Sequence, residues 1–423
     1  MTTIRRRWKR ILAVAMLLLV IGATPFVFPA LMAEICVRRS ETMNQKRCFA
    51  RACDLLQSAA NWAPGDPQIA LLQARCSRHL EDWTACTRFL DMAAAGGLPY
   101  AVIRRERLLC EVQRGEFPSA PDTTYSQIMR SLESDASIDE SILVCEAFVI
   151  GLLKLKDIER VEQLLDAWSA DASDDAELCH FRAKVSQLRR DEQKACEWLR
   201  KACELAPTRP HLRMALGNML GDNLQFGAAA ESFAMCLELL KSDPESADDP
   251  ANMQTTANLR LARCYFSMGQ TDAAERALLN ASALSQTAEA LLLQGKILVS
   301  RQAFAEAVAV FRKALARSTW DTEIRYALAT ALRSANLAEE AAEHFEFIAR
   351  ANAELERAGQ LMEKAAGEPT NADHRYELAK ILLTYADPRQ AEPWINACLR
   401  LQPQHKLALQ LRQKLSVELE SQD

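Results

Sequence analysis

The chain has 423 residues, of which 49% are hydrophobic and 25% charged, which is the balance of a folded protein rather than a disordered one. Its 69 alanines, against 13 glycines and 15 prolines, favour helices and argue against a β-sandwich, a β-barrel or a Gly-rich nucleotide fold. The net charge of −5 excludes a generally basic nucleic-acid-binding protein.

The first predicted element is a transmembrane helix. Residues 1–10 carry five cations and no acid, and the 23 residues of segment 11–33 include no charged side chain. At about 1.5 Å per residue, such a helix can cross a hydrocarbon core of roughly 30 Å. The cations predict a cytoplasmic N-terminus and a body that lies outside the cytoplasm, in the periplasm if the organism is bacterial. The alternative is a signal peptide cleaved after Ala33.

Beyond this segment the chain repeats with a period of 34 residues. The segments that begin at Ala176 and Pro210 align without a gap, and each contains two amphipathic helical stretches around a short polar turn. The same frame fits ten units, which start at residues 33, 67, 101, 142, 176, 210, 255, 288, 322 and 372. Positions 8, 20 and 27 of these units hold Ala, Gly or Cys 23 times in 30. Small residues at these positions predict a close approach of paired helices.

This pattern resembles the tetratricopeptide-repeat (TPR) family, whose 34-residue helix–turn–helix units have small residues at the same positions and a proline near position 32. Pro64, Pro207 and Pro403 match that proline, and Leu261-Ala262 with Tyr265 match the family's L-G-x-x-Y. The family's early tryptophan is absent, and the units at 101 and 142 are degenerate. The resemblance implies an all-α, right-handed α-solenoid of about nine repeats, preceded here by the one transmembrane helix.

Breaks in the period divide the predicted array. Its parts are N-terminal repeats (34–141, partly degenerate), central repeats (142–243), an acidic linker (244–254), C-terminal repeats (255–405) and a capping helix (406–423). The acidic linker is interpreted either as a surface loop or as a hinge or partner-contact loop. Because the unit at 33 overlaps the anchor, we expect it to supply only its second helix, from about Met43 to Ala63.

The sequence contains no recognisable catalytic, cofactor-binding or metal-binding motif. Thirteen cysteines occur without a C-x-x-C spacing, six histidines are scattered, and the glycine-rich phosphate-binding signatures are missing. Most cysteines occupy recurrent helix positions, where cysteine serves as a small buried apolar residue. An exported domain would nevertheless meet an oxidising compartment, so some disulfides are conceivable, although no pairing follows from the sequence.

The resemblance also implies a binding surface. In the TPR family, positions 2, 5, 9, 12 and 13 of the first helix line a concave groove that holds peptides or a partner's helix. The candidate residues are Lys184, Asn218, Arg263, Lys296 and Lys380 at position 9, and Met214, Leu259, Leu292, Tyr326 and Tyr376 at position 5. Such rows suit a segment that mixes acidic and hydrophobic residues, whereas solvated lysines and rim-packing apolar residues are the plainer interpretation.

Together these features predict a non-catalytic, membrane-anchored scaffold or adaptor for protein or peptide partners in cell-envelope assembly or secretion. Neither a cofactor, a nucleic acid nor a small-molecule substrate is expected. Two alternatives stay open. One is a soluble, chaperone-like periplasmic protein released by signal cleavage. The other is an enzyme subunit whose site is assembled only by the fold.

Overall fold

Helices make up all the regular structure in the part of the chain that can be described. The computed structural model describes residues 28–117, 138–281 and 286–420, and within these ranges no strand occurs. The all-α fold class is therefore confirmed for the described residues. The chain divides into two compact units, unit 1 (residues 1–254) and unit 2 (residues 255–423).

The helices follow one another as antiparallel pairs. Those that lie in unit 1 are α1 (28–45), α2 (Phe49–Trp62), α3 (Pro67–His79), α4 (Trp83–Ala95), α5 (Tyr100–Arg114), α6 (Ile138–Lys154), α7 (Ile158–Asp171), α8 (Ala176–Leu188), α9 (Glu192–Leu205), α10 (Pro210–Asp222) and α11 (Phe226–Ser242). The next helix, α12 (Pro250–Ser267), begins within the predicted acidic linker. Those that follow are α13 (Thr271–Asn280), α14 (Ala288–Ser300), α15 (Phe304–Arg317), α16 (Thr322–Ser334), α17 (Ala338–Gly367), α18 (Ala372–Tyr385), α19 (Glu392–Leu401) and α20 (Lys406–Glu420).

Aspartates and an asparagine begin many of these helices. Asp66, Asp175 and Asp321 each accept hydrogen bonds from the backbone N–H groups at the start of a first helix, and Asn371 does the same for α18. These side chains satisfy N–H groups that have no partner inside the helix. Local sequence therefore specifies where the repeats begin.

The turn between the two helices of a pair has one recurrent backbone feature. Position 15 of nine units adopts a left-handed conformation with φ between 58° and 84°, and the residues concerned are Arg47, Glu81, Gly115, Lys156, Arg190, Leu224, Gly269, Gln302 and Asn336. A left-handed residue ends a helix by turning its chain back, and it is unfavourable for most side chains. Because a left-handed residue recurs at the same position in nine units, it supports the 34-residue frame. This support is independent of the small residues from which the frame was read.

Packing within a pair depends on the small positions. Ala195 and Ala202 at positions 20 and 27 are fully buried, as are Ala307 and Ala314 in unit 2. Gly295 at position 8 faces the ring of Phe311 at position 24, and a Cβ at Gly295 would collide with that ring. A large side chain at position 24 therefore fills the space that a small residue at position 8 leaves.

The N-terminal repeat differs from the prediction. Helix α1 pairs with α2, and Ala33 and Met43 are buried in the core that α2 forms with α3. The unit at 33 therefore supplies both helices, because the apolar face of α1 packs on its own repeat. The second helix begins at Phe49 rather than near Met43.

Most of the predicted anchor, residues 11–27, lies outside the described residues. Its last part, residues 28–33, belongs to α1, where Phe28 packs edge-on against Trp62 at 5.7 Å between ring centroids. Among the described helices, none combines the length and apolarity needed to cross a membrane.

Candidate functional site

The candidate groove residues of unit 2 lie on the first helices α12, α14, α16 and α18. Arg263 and Lys380 are exposed, Lys296 is half-buried, and Tyr326 is 58% exposed. Helices α14 and α16 contact each other directly, so Lys296 and Tyr326 lie on neighbouring first helices. This set of side chains, Arg263, Lys296, Tyr326 and Lys380, is called the unit 2 face below.

Glutamates of the following repeat partly neutralise this face. Arg263 Nη1 lies 3.6 Å from Glu289 Oε1, and Lys296 Nζ lies 2.6 Å from Glu323 Oε1. Both glutamates occupy position 2, which the TPR family also uses for binding. Lys380 has no ion pair within the described residues. A positively charged partner segment is therefore disfavoured chiefly at the Lys380 end.

Two of the predicted apolar groove residues are core residues instead. Leu259 and Leu292 are 3% and 9% exposed, and Leu292 packs in a cluster with Phe311 and Leu328. Position 5 in these two repeats points toward neighbouring helices, so these leucines contribute to packing and offer little surface to a partner. Tyr376 is half-buried, and its ring lies 5.1 Å from that of His405.

One of the candidate residues of unit 1, Lys184, lies near a buried group of charges. Lys184 and Asn218 are exposed and Met214 is half-buried. The ammonium of Lys184 lies 5.2 Å from the ring of Phe181 and interacts electrostatically with Glu177. Although much of the Lys184 side chain is exposed, the protein around its ammonium removes it partly from water, and this desolvation is the main cause that lowers its pKa. A carboxylate of a partner placed near Lys184 would stabilise the charged form of its ammonium.

Arg47 is the centre of that buried group. Its Nη1 donates to Glu146 Oε2 at 2.9 Å, its Nη2 donates to the other oxygen of the same carboxylate, and its Nε lies 3.8 Å from Glu177 Oε1. Arg209 Nη1 donates to Glu177 Oε1 at 2.8 Å and its Nη2 to the carbonyl oxygen of Gln45 at 3.0 Å. The group, called the Arg47 cluster below, joins the turn after α1 to helices α6 and α8.

The protonation states in the Arg47 cluster follow from burial and ion pairing. Burial opposes the charges of Arg47, Glu146 and Glu177, but the Arg47–Glu146 attraction raises the pKa of Arg47 and lowers that of Glu146. The pKa of Glu177 is lowered first by a hydrogen bond from His211 and then by the charge of Arg47. His79 stacks on Phe49 at 4.1 Å, and burial lowers its pKa to about 3. At neutral pH the two carboxylates are therefore ionised and His79 is uncharged.

The acidic stretch after α11 contacts the same N-terminal region. Lys46 Nζ lies 2.7 Å from Asp243 Oδ2, and the carboxylate of Asp248 accepts hydrogen bonds from the backbone N–H groups of Ala50 and Arg51 at the start of α2. Asp248 thus caps a helix about 200 residues away in the chain. Residues 243–248 are consequently held against the first repeat rather than projecting from the surface.

Cysteines and the other potential metal-ligating side chains are the remaining groups that could carry chemistry. No group of three or more metal-ligating side chains occurs within ranges 28–117, 138–281 and 286–420. All thirteen cysteines are free thiols, and ten of them are buried by more than nine-tenths. The Arg47 cluster and two close cysteine pairs are features that sequence reasoning missed. The similar spacing of the paired cysteines, 23 residues from Cys53 to Cys76 and 24 from Cys86 to Cys110, was the available signal for the latter.

Comparison with known proteins gives likeness at the level of fold. No protein-family model matches the sequence, and no curated protein matches it. Among solved structures, the type IV pilus biogenesis factor PilW is 19% identical, with 56% of this chain and 97% of PilW covered and a TM-score of 0.41. MamA from Desulfovibrio magneticus RS-1 is 18% identical over 41% of this chain and 93% of its own, with a TM-score of 0.36.

The TPR protein YrrB, described as having an unusual peptide-binding site, is 18% identical over 52% of this chain and 99% of its own, with a TM-score of 0.29. Scores below 0.5 support no argument about function. The fold is of the TPR type, as the 34-residue helix pairs of the chain itself establish.

Proposed function

We propose that this chain is a non-catalytic adaptor that binds protein or peptide partners through the unit 2 face. The observation that carries the proposal is Tyr326, a large aromatic side chain left 58% exposed on a first helix. Aromatic side chains beside cations are the groups that contribute most to binding energy at protein interfaces. A partner segment that covers Tyr326 would bury the apolar surface of its ring, and this burial would stabilise the complex.

Charge indicates the chemistry of that segment. Lys380 offers an unpaired ammonium within the described part of unit 2, whereas Arg263 and Lys296 share theirs with Glu289 and Glu323. A segment with a carboxylate near Lys380 and an apolar side chain on Tyr326 fits best. Replacing Arg263 or Lys296 with glutamate would place the new carboxylate against Glu289 or Glu323, which would itself disturb the repeat. Lys380 has no such neighbour among the described residues, so it is the better position for a test.

The first prediction concerns capture of a partner in cells. With the photo-crosslinker p-benzoylphenylalanine in place of Tyr326, illumination will yield discrete adducts between the full-length chain and one or a few proteins. Adding Lys380→Glu will reduce the yield about tenfold, the equivalent of ~1.4 kcal/mol of binding energy. The adducts are measured by immunoblot and identified by mass spectrometry.

Two matched controls accompany this test. Tyr100 is 77% exposed at the start of α5, outside the unit 2 face, and should yield no discrete adduct when it carries the same crosslinker. Lys313→Glu changes an exposed lysine on the second helix α15 and should leave the yield unchanged. Equal adducts from positions 100 and 326 would contradict the proposal.

We further propose that the body is held at the outer side of a membrane by residues near its N-terminus, in cell-envelope assembly or secretion. Exposed apolar side chains occur at that end of unit 1: Phe28, Leu31 and Ile35 of α1 are exposed, and Phe28 lies against the half-exposed Trp62. Because α1 begins by residue 28, segment 11–27 is left to span, which is close to the lower limit of about 17 residues for a transmembrane helix.

The second prediction is that intact mass measurement of the purified full-length product will find an N-terminus upstream of residue 11, and that the protein will stay with membranes washed in high salt. The body will be digested by protease added from the outer side. A mass that begins near residue 34 would instead favour the soluble, chaperone-like alternative. In that case α1 would lose residues 28–33, which pack on α2.

A further inference from the structure

We propose that Cys86 with Cys110, and Cys53 with Cys76, are two disulfide-forming pairs that fasten the second helix of one repeat to the first helix of the next. Cys86 lies on α4 and Cys110 on α5, whereas Cys53 lies on α2 and Cys76 on α3. The same kind of link is thus offered twice in succession in unit 1.

The geometry of the Cys86–Cys110 pair brings the two sulfur atoms together. Their Sγ atoms lie 3.0 Å apart, and helices α4 and α5 contact each other. A disulfide bond is about 2.05 Å long, so the sulfurs need to approach by about 1 Å. A small rotation of the two side chains supplies that movement without separating the helices.

The Cys53–Cys76 pair repeats this arrangement one unit earlier. Helices α2 and α3 contact each other, and Cys53 packs against the core cluster that contains Cys76. The Cys76 thiol donates a hydrogen bond to Asn44 Oδ1 at 3.3 Å. Cys76 and Cys110 both occupy position 10 of their repeats, and Cys53 and Cys86 occupy positions 21 and 20 of the preceding ones. The 34-residue frame therefore places a cysteine from each of two neighbouring repeats at one helix–helix contact.

Other repeats carry only half of the pair. Cys196 occupies position 21, but position 10 of the next repeat is Met219, and the Cys196 thiol accepts a hydrogen bond from Asn223 instead. Cys264 occupies position 10, but positions 20 and 21 of the preceding repeat are Ala229 and Ala230. These single cysteines provide internal controls.

The two members of each pair differ in access to solvent. Cys76 and Cys86 are buried, whereas Cys53 and Cys110 are half-buried. A hydrogen bond from Cys86 is the main cause that lowers the pKa of Cys110, and the neighbouring Cys76 thiol is the main cause that lowers the pKa of Cys53. The accessible thiol of each pair is therefore the more easily ionised nucleophile.

The oxidant is a small disulfide, such as oxidised glutathione. The Cys110 thiolate attacks one sulfur of the oxidant, forms a mixed disulfide and releases one thiolate, which takes up the proton lost by Cys110. The Cys86 thiol then loses its proton and attacks Cys110 Sγ, and the bond to the second glutathione breaks. Two protein thiols are oxidised to one disulfide while one oxidised glutathione is reduced to two thiols. Cys53 and Cys76 follow the same steps.

The test uses the full-length protein in detergent. Native protein is incubated with oxidised glutathione and is then unfolded in guanidinium together with an alkylating agent, so that every remaining thiol reacts. A tryptic digest is examined by mass spectrometry without reduction. Two cross-linked products are expected, one joining residues 79–88 to residues 108–114 and the other joining residues 52–75 to residues 76–78. The number of alkylated thiols should fall from thirteen to nine, since four of the thirteen enter disulfides.

Three variants sharpen the result. Cys86→Ser should trap glutathione on Cys110, because the second thiol is missing, and should leave the Cys53–Cys76 product intact. Cys264→Ser and Cys196→Ser should each lose one free thiol and keep both cross-linked products. Circular dichroism confirms that each variant is folded.

Four outcomes would overturn the proposal. These are recovery of neither product, recovery of only one product, stable glutathione adducts on Cys53 or Cys110 of the wild-type protein, and cross-links that involve Cys196 or Cys264.

Discussion

Replacing Arg47 with methionine will destabilise unit 1 by about 3–5 kcal/mol, because the change leaves a buried carboxylate without its partner. The side chain of Glu146 is 2% exposed, and both of its oxygens accept hydrogen bonds from Arg47. Methionine has a similar length, so lost packing contributes little. Urea unfolding will report the loss, and hydrogen exchange in peptides from α6 will assign it to unit 1.

The control pair for this prediction is Arg38 with Glu34. Their atoms lie 2.8 Å apart, but the side chains are 75% and 56% exposed. Arg38→Met should therefore cost less than about 1 kcal/mol. Adding Glu146→Gln to Arg47→Met should recover part of the stability, because the buried negative charge is then removed. A cost at Arg47 no larger than that at Arg38 would contradict the structural role of the cluster.

The same cluster makes unit 1 sensitive to acid. The pKa of His79 is lowered to about 3 in the folded chain, against about 6.5 when unfolded. Between these values the unfolded chain binds the extra proton, so the free energy of unfolding falls as the pH falls. Glu146 and Glu177 act in the same direction, since their lowered pKa values favour folding only while they stay ionised.

Gly295→Ala will destabilise unit 2 by about 1–3 kcal/mol through overpacking. An added Cβ would collide with the ring of Phe311, which is 1% exposed and held in the core. Adding Phe311→Leu should recover much of the loss, because Ala183 with Leu199 is the natural combination at these two positions in another repeat. Chemical denaturation measures the change, and hydrogen exchange in α14 and α15 locates it.

Gly359→Ala is the matched control. This glycine also lies within a helix, α17, but a Cβ there would meet nothing within 4 Å. Alanine should therefore stabilise the protein by up to about 1 kcal/mol through helix propensity alone. A failure of Phe311→Leu to rescue Gly295→Ala would show that the ring does not determine which residue position 8 tolerates.

Much of this fold follows from local patterns in the sequence. Helix starts at Pro67, Ala176, Pro210, Ala288 and Ala372 coincide with the unit starts read from the repeat. A helix pair is specified by residues within about 34 positions of one another, so periodicity and capping suffice. The first helix of the unit at 33 was missed because its apolar residues merge with those of the predicted anchor.

The candidate site followed less well from the sequence, for two reasons. Position 5 can face either a groove or the next helix, and a rule based on position number does not separate Tyr326 from the buried Leu292. The Arg47 cluster joins residues 99 and 130 positions apart, which depends on how successive repeats rotate against each other. Small rotations accumulate over several repeats, and no short-range pattern reports their sum.

The cap that Asp248 provides for α2 has a consequence for how unit 1 comes apart. In an open stack, terminal repeats have one neighbour and fray first, as in a one-dimensional Ising chain. Here the first repeat is also bonded to residues that follow the last helix pair of the unit, through Lys46 and Asp243 as well as Asp248. Because the two ends of the described helix stack of unit 1 are bonded to each other, melting has no free end pair to start from within residues 28–117 and 138–254. We expect its opening to be closer to all-or-none than the sequence repeat suggests.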